Sequence, residues 1–342
     1  MMIRNHSNRF IPISKSLIFK RFNHIRQGDV VILRSITNPN KIWISSPLSF
    51  EGSLNIQDGP LPHSSIIGLK SRSLVKSQKD NSYIVTHASL EDYINLTPRA
   101  AQPIYTYDAS TIVNLADIHL SYPELDENNN SIDSPRQYLE AGTGHGSLTL
   151  AICSKIHPAN CFWGKFGIKG AILHSIDCNL SHSKRGELNV LNFKRGIYKD
   201  DVIFHLSESP SSWLQSEIAQ EWKNKSHNNK EEGFLDGAFL DMPNINHHIY
   251  EISKNLKHDG TLITFVPSIT QILDILKTIK ENSDIKLTHL KTVQLQPNGL
   301  QEWDTRFTYI GSSGEEGMVC RPKVGGRVTG GGFIAIFKKV CT

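Results

Sequence analysis

The spacing of hydrophobic and polar positions divides this chain into an N-terminal arm, a strand-rich stretch and a long region of alternating strands and helices. Between residues 29 and 85 the apolar residues form short β-branched runs. Residues 29–36 (DVVILRSI) and 41–46 (KIWISS) flank an Asn-Pro-Asn turn signal, and 65–68 and 82–85 read as further strands. Residues 89–96 (SLEDYINL) open a helix, with Ser89 three residues ahead of Asp92 in a capping-box arrangement. A helix-period stretch follows at 109–118, then a polar, turn-rich insertion at 126–136. From Tyr138 the alternation becomes regular. Tyr138-Leu139 leads through Glu140 into a glycine turn, Gly142-Thr143-Gly144-His145-Gly146, and a helix from Ser147. Strands are expected at 171–177, 202–206, 237–241, 261–266, 287–295 and 333–340, and helices at 180–193, 249–256 and 268–281. Residues 222–232 read as a second polar insertion, and His258-Asp259-Gly260 closes the helix before the 261–266 strand. Such alternation predicts an α/β fold with a parallel sheet covered on both faces.

Ligands of such sheets bind outside the carboxyl ends of the strands. Three acids fall at or near those ends, Glu140, Asp177 and Asp241, and together with the glycine turn they outline one cleft. Glycines permit positive φ and close approach to a ligand, and the free N–H groups at the helix start favour a polar or anionic group. Asp177 is placed to accept from a ribose diol, or else to cap the next helix. Asp241-Met242-Pro243 leaves the sheet extended, because proline lacks an N–H and biases the residue before it. Its acid sits at the tip, where it can meet an exocyclic amine of a base or local backbone. Tyr105 is placed either to stack on a flat ring or to fill core. His145 reads as a surface residue positioned by the backbone. His247-His248 are adjacent and point apart, so no metal site is expected.

Composition narrows the class. The chain has 342 residues, enough for a large domain and a small one, and a formal charge of +4, which permits a polyanionic partner. No apolar run approaches the roughly 18 residues of a membrane span. Five cysteines without a Cys-x-x-Cys fit neither a disulfide framework nor a zinc site. Residues 1–27 contain no acid, and Arg4, Arg9, Lys15, Lys20, Arg21 and Arg26 alternate with Ile, Leu, Phe and Ser. That composition is expected of a mitochondrial transit peptide, and hence of a matrix protein, with a basic RNA-touching arm as the alternative. The expected organisation is a transit peptide at 1–27, a β-rich domain at 28–88 and a Rossmann-like domain at 89–342.

Several spaced motifs in one order give the chain a resemblance. Arg99, Gln102, Ile104, Tyr105, Asp108 and Ala109 make an Arg-x-x-Gln-x-Ile-Tyr-x-x-Asp-Ala pattern, and residues 140–147 read Glu-Ala-Gly-Thr-Gly-x-Gly-Ser. Leu240, Asp241 and Pro243 give Leu-Asp-x-Pro, and Val266, Pro267 and Gln271 give a later motif. Upstream, Gly59, Leu61, His63, Ile67, Gly68 and residues 90–93 fit as well. In these the chain resembles the catalytic subunits of the tRNA (adenine-58-N1)-methyltransferases, in a mitochondrial, fungal-type form. The resemblance implies a class I methyltransferase fold, a doubly wound seven-stranded sheet, with S-adenosylmethionine as cofactor. It implies cofactor contacts at Ile104, Gly142, Gly144, His145, Gly146, Ser147, Asp177, His182 and Asp241, with Asp241 and Tyr105 catalytic toward a T-loop adenine. RNA is the implied partner, tRNA above all. A homotetramer, or a hetero-oligomer with a non-catalytic paralogue, is the implied assembly. The chain departs from the pattern at His145, where a small residue is usual, and at Leu206-Ser207, where an acid is. It departs also at His182 and at Thr329-Gly330-Gly331-Gly332. A methyltransferase-fold RNA-binding or ribosome-associated protein with weakened catalysis is the competing reading. A nicotinamide-dependent dehydrogenase fits the glycine spacing poorly.

Overall fold

The computed structural model describes residues 24–38, 40–128, 131–161, 167–226, 233–297, 300, 303–310, 314–322 and 330–341. Most of the acid-free arm, the end of the second polar insertion and Thr329 lie outside the described residues. The chain divides into two compact units, Met1–Ala88 and Ser89–Thr342.

In the first unit, β1 (Val31–Ser35) pairs antiparallel with β2 (Ile42–Ile44), and β3 (Ser53–Ile56) with β4 (Gly59–Pro62). β5 (Ser73–Lys76) and β6 (Ser82–His87) complete a sheet of order β2-β1-β6-β5. The apolar pair expected as a strand at 65–68 is instead a 3-10 turn over His63–Ser65 that sends Ile66 into the core. A lone apolar pair does not distinguish these outcomes. Ile25, expected to precede the folded module, packs in the same core, and its N–H donates to Leu69 O at 2.8 Å. Beneath the sheet, Asp58 accepts from Ser77, Asn81 and the Tyr83 hydroxyl. Those donors, Tyr83 first, hold its carboxyl below the usual range.

The second unit starts with α1 (Leu90–Leu96), whose cap Ser89 accepts from the Asp92 N–H at 3.0 Å, and α2 (Thr106–Leu115). A sheet then alternates with helices: β7 (Arg136–Ala141), α3 (Ser147–Asn160), β8 (Ala171–Asp177), α4 (Leu180–Asn192) and β9 (Val202–Leu206). Two helices follow, α5 (Pro210–Leu214) and α6 (Glu217–Lys225), where the sequence read as a plain polar insertion beyond residue 222. After them come β10 (Leu235–Leu240), α7 (Ile249–Asn255), β11 (Leu256–Val266), α8 (Ile269–Glu281) and β12 (Leu287–Leu295). A separate hairpin, β13 (Trp303–Ile310) and β14 (Glu315–Pro322), precedes the last strand, β15 (Gly332–Lys339).

The seven strands lie in the order β12-β15-β11-β10-β7-β8-β9. All run parallel except β15, which is antiparallel to both neighbours, so the expected parallel sheet is a mixed one. β8 is buried along its whole length, as befits a strand covered on both faces. Side-chain alternation sorts the faces. Leu139, Ala141 and Ile176 join the core beneath α5–α8, while Glu140 and Ser175 turn to the other face, where Glu140 meets Thr149 of α3. On the α5–α8 side, His174 bonds His205 at 3.1 Å and Gln137 at 3.2 Å under Trp213 and Trp222. Burial lowers both imidazoles, His174 to about 3 and His205 to about 4.

At the amino edge of the sheet Asp236 ties three strands together. Its carboxylate accepts from Arg136 (β7), the Gln137 N–H and Lys257 (β11), each at 2.8 Å. Lys257 is 8% exposed, so removing its partner strands a buried ammonium. Replacing Asp236 by Ala is expected to lower stability by about 3 kcal/mol, the scale for breaking a buried pair. Urea unfolding of the purified chain measures it.

Candidate active site

Backbone geometry builds the carboxyl edge of the sheet. β7 ends in Ala141, whose carbonyl accepts the Asp241 N–H at 2.9 Å, just past the end of β10. Gly142 then adopts φ +100°, and a Cβ on it would lie 2.0 Å from the Asp241 carbonyl oxygen. Only glycine fits there, for space and for conformation. Gly144 and Gly146 also have positive φ, and a Cβ on Gly146 would press on the Gly186 carbonyl of α4 at 2.9 Å. Gly146 forms the N-cap of α3, so the free N–H groups of that helix open at the turn.

The acids meet here as the strand ends implied. Asp177 is 7% exposed; its Oδ2 accepts from the Gly144 N–H at 2.9 Å and its Oδ1 from the Asn179 N–H at 2.8 Å. It thus pins the turn from β8. The cap of α4 is Asn179, whose side chain accepts from the Ser181 and His182 N–H groups. His182 lies 3.9 Å from Asp177 through Nδ1. Glu140 is fully buried; Ser175 and Thr149 donate to its Oε2 at 2.6 and 2.7 Å, while Oε1 has no partner among the described residues. Burial raises its carboxyl to about 8 despite those two hydroxyls. Burial, with the charge of Asp177, raises Asp241 to about 7.

The segment before α2 supplies a second wall. Tyr105 is the N-cap residue of α2. Its hydroxyl accepts from Gln102 Nε2 at 2.9 Å and from Arg99 at 3.5 Å, with the guanidinium 5.7 Å from the ring centre. A Cβ on Gly144 would touch Ala101 at 3.6 Å, so this segment passes beside the glycine turn. Ile104 is buried. Asp108 accepts from the Gly331 N–H at 3.1 Å, and a Cβ on Gly330 would strike its carboxylate at 2.0 Å. The glycine run near the C-terminus therefore packs on α2.

Two expectations change. His145 is not at the surface: its ring is 1% exposed and bonded to Thr97, so the turn's backbone, not this ring, is what the cleft can use. Ser147 is likewise buried at the first turn of α3. The roles of Arg99, Gln102, Thr97 and Asn189 were not legible as site contacts. The first two carried a motif signal, whereas nothing in the sequence marked Asn189. Leu206 is exposed at the end of β9, with Glu208 two positions on, also exposed.

Among the described residues, the buried polar atoms without a partner include Glu140 Oε1, His145 Nδ1 and Thr264 Oγ1, which lie in the glycine turn or on strands that reach this edge. Unsatisfied buried groups mark a place where a ligand or water completes the bonding. A cleft of about 330 Å³ opens at the opposite, amino edge, lined by Arg136, Tyr138, Asp236 and Lys338. Its charges are already paired, Arg136 with Asp236 at 2.8 Å and Lys338 with Asp259 at 3.4 Å.

No family model matches the chain. It is similar to tRNA (adenine(58)-N(1))-methyltransferase TrmI from two strains of Thermus thermophilus, 26% identical over 256 residues, covering 75% of this chain and 81% of theirs. Among solved structures, a SAM-dependent O-methyltransferase from Thermotoga maritima superposes with a TM-score of 0.62 at 16% identity, over 94% of this chain and 96% of that one. The tRNA (m1A58) methyltransferase TrmI from Aquifex aeolicus superposes with a TM-score of 0.58 at 18% identity, over 94% and 100%. The chain has the Rossmann-like fold of the class I S-adenosylmethionine-dependent methyltransferases, and over 75% of its length it is similar in sequence to TrmI.

Proposed function

We propose that this chain is an S-adenosylmethionine-dependent methyltransferase acting on N1 of adenine 58 in the T-loop of tRNA, in the mitochondrial matrix. The observation that carries the reading is Asp241. Its carboxylate receives no hydrogen bond from a described side chain or N–H, yet it stands against the glycine turn at the end of β10. An acceptor kept free beside a cofactor-type turn fits a base amine. The similarity to TrmI supplies the choice of base and RNA.

The residues fit the cofactor: an α3 terminus with free N–H groups, a glycine turn at positive φ, and Asp177 with lone pairs left for a diol. The cofactor supplies an electrophilic methyl on a sulfonium sulfur. Adenine N1 has its own lone pair, so the residues of the chain would need only to hold that nitrogen in line with the methyl that the cofactor would supply. The chain need supply no nucleophile, and holding N1 in line provides most of the acceleration. Asp241 accepts from the N6 amine and favours the positive charge that develops on the ring. Tyr105, held by Gln102 and Arg99, offers its face to the extruded base.

The exposed Leu206, where the resemblance leads one to expect an acid, favours the second reading, an RNA-binding relative with weakened turnover. Calorimetric titration with S-adenosylmethionine separates them. Binding at micromolar concentration supports the enzyme, and no binding at physiological concentration removes it. Gly142→Ala is expected to abolish that binding, because the added carbon collides with backbone.

Asp241 accepts from the amine best when ionised, so turnover at saturating substrates is expected to rise through a pH near 7 and level off above it. Asp241→Asn removes that limb, and Asp241→Ala lowers turnover by about 100-fold or more. The stability sign runs opposite. A carboxyl raised in the folded state contributes stability at low pH that is lost as pH rises through about 7, so Asp241→Asn at pH 8 melts no lower than the parent chain. A lower melting temperature there assigns Asp241 a structural role instead.

Mapping N1-methyladenine in mitochondrial RNA from cells lacking the chain identifies the substrate, with loss at tRNA position 58 expected. Retention of that mark, or loss only from ribosomal or messenger RNA, overturns the assignment. Matrix import and a tetrameric or paralogue-paired assembly belong to the same proposal. Organelle fractionation and native mass measurement test them.

A further inference from the structure

His145 stands where the resembling pattern has a small residue, yet its ring is buried and, among the described residues, bonded through one nitrogen only. The Thr97 hydroxyl has a single proton, which it gives to the Tyr93 carbonyl at 2.6 Å. It must therefore accept from His145 at 3.1 Å, which places the imidazole proton on Nε2 and leaves Nδ1 a bare acceptor. Burial first, then the charges of Arg99 and Arg185, keep the ring neutral down to about pH 4.

The main chain of the same residue is held from the other side. Asn189 Nδ2 of α4 donates to the His145 carbonyl at 2.9 Å, and the Asn189 carbonyl accepts from the Tyr93 hydroxyl at 2.8 Å. Tyr93, Thr97, His145 and Asn189 thus form a closed circuit through α1, the glycine turn and α4. The same end of α1 carries Arg99, which donates to the Asn95 carbonyl at 3.0 Å and reaches the Tyr105 hydroxyl. A serine at 145 has no ring nitrogen to bond Thr97 as His145 Nε2 does.

We propose that His145 is a positioning residue for the cofactor turn, acting through the Thr97 hydroxyl to fix Gly144 and Gly146 on the end of α1. It rests on the cofactor reading above. The ring needs no contact with the cofactor. Its work is to keep the N–H groups of the turn aimed at the cleft before the ligand arrives, which lowers the ordering cost of binding.

The test is a double-mutant cycle on S-adenosylmethionine affinity, read by calorimetry on the full chain. His145→Phe fills the space without donating, and Thr97→Val removes the hydroxyl while keeping the backbone carbonyl. Each alone is expected to weaken binding about tenfold, and the double variant also about tenfold, because both remove one bond. His145→Gln, whose amide nitrogen can reach the same hydroxyl, is expected to stay within about threefold of the parent. In turnover assays the loss falls on KM for the cofactor, with kcat at saturation within about threefold. If His145→Phe does not fold, Thr97→Ser against Thr97→Val gives the same decision, since serine keeps the hydroxyl. Multiplicative losses near 100-fold in the double variant, unchanged affinity in His145→Phe, or equal losses in kcat and KM overturn the proposal. A parent chain that binds no cofactor removes both readings, whereas a parent that binds with uncoupled variants removes only this one.

Discussion

The site depends on one close approach, the backbone of Gly142 against the carbonyl of Asp241. With a Cβ position only 2.0 Å from that oxygen, the ends of β7 and β10 meet main chain to main chain. The adjacent parallel register, Ala141 opposite Leu240, brings them there, and the Asp241 N–H bond to Ala141 locks the approach. Once the turn is pressed on β10, Asp177 can reach the Gly144 N–H from β8, and α3 starts with its free N–H groups at the cleft. Three strands and one helix are thereby referred to a single point.

Such a point is electrostatically costly. Burial raises Glu140 and Asp241, and neighbouring carboxylates add to it, Asp241 and Asp177 for Glu140 and Asp177 for Asp241. Glu140 is partly relieved by hydroxyls from Ser175 and Thr149, and Asp177 by two N–H groups. Asp241 has no such relief among the described residues. Concentrations of perturbed, incompletely satisfied groups occur where a ligand supplies the missing partner. A cationic donor and a base carrying an exocyclic amine would meet these acids under the proposed reaction. The amino edge shows the contrast: Asp236 is saturated by three donors and binds the sheet together instead.

The alternation of strands and helices was legible because each buried strand and amphipathic helix carries its period locally. Residues 171–177 and 269–281 needed nothing distant to declare themselves. Direction was not legible: an apolar run reads alike either way, and β15 runs antiparallel because it inserts between β11 and β12. The β13–β14 hairpin escaped because Trp303, Phe307 and Tyr309 are exposed, leaving a hydrophobic pattern with no core beneath it. α6 escaped because its composition is polar, with Ala219 fully buried and Trp222 packed against the core from a charged helix.

By itself the sequence determined the glycine turn, the acids at the strand ends and the capping of α1, since each follows from neighbours within a few residues. Tertiary structure alone decided that His145 lies inside and that Asp241 has no donor among the described residues. These are outcomes of long-range packing: Thr97 and Asn189 reach His145 across 48 and 44 residues of chain. A side chain's partners at that distance depend on how whole helices settle on the sheet, which no local pattern encodes.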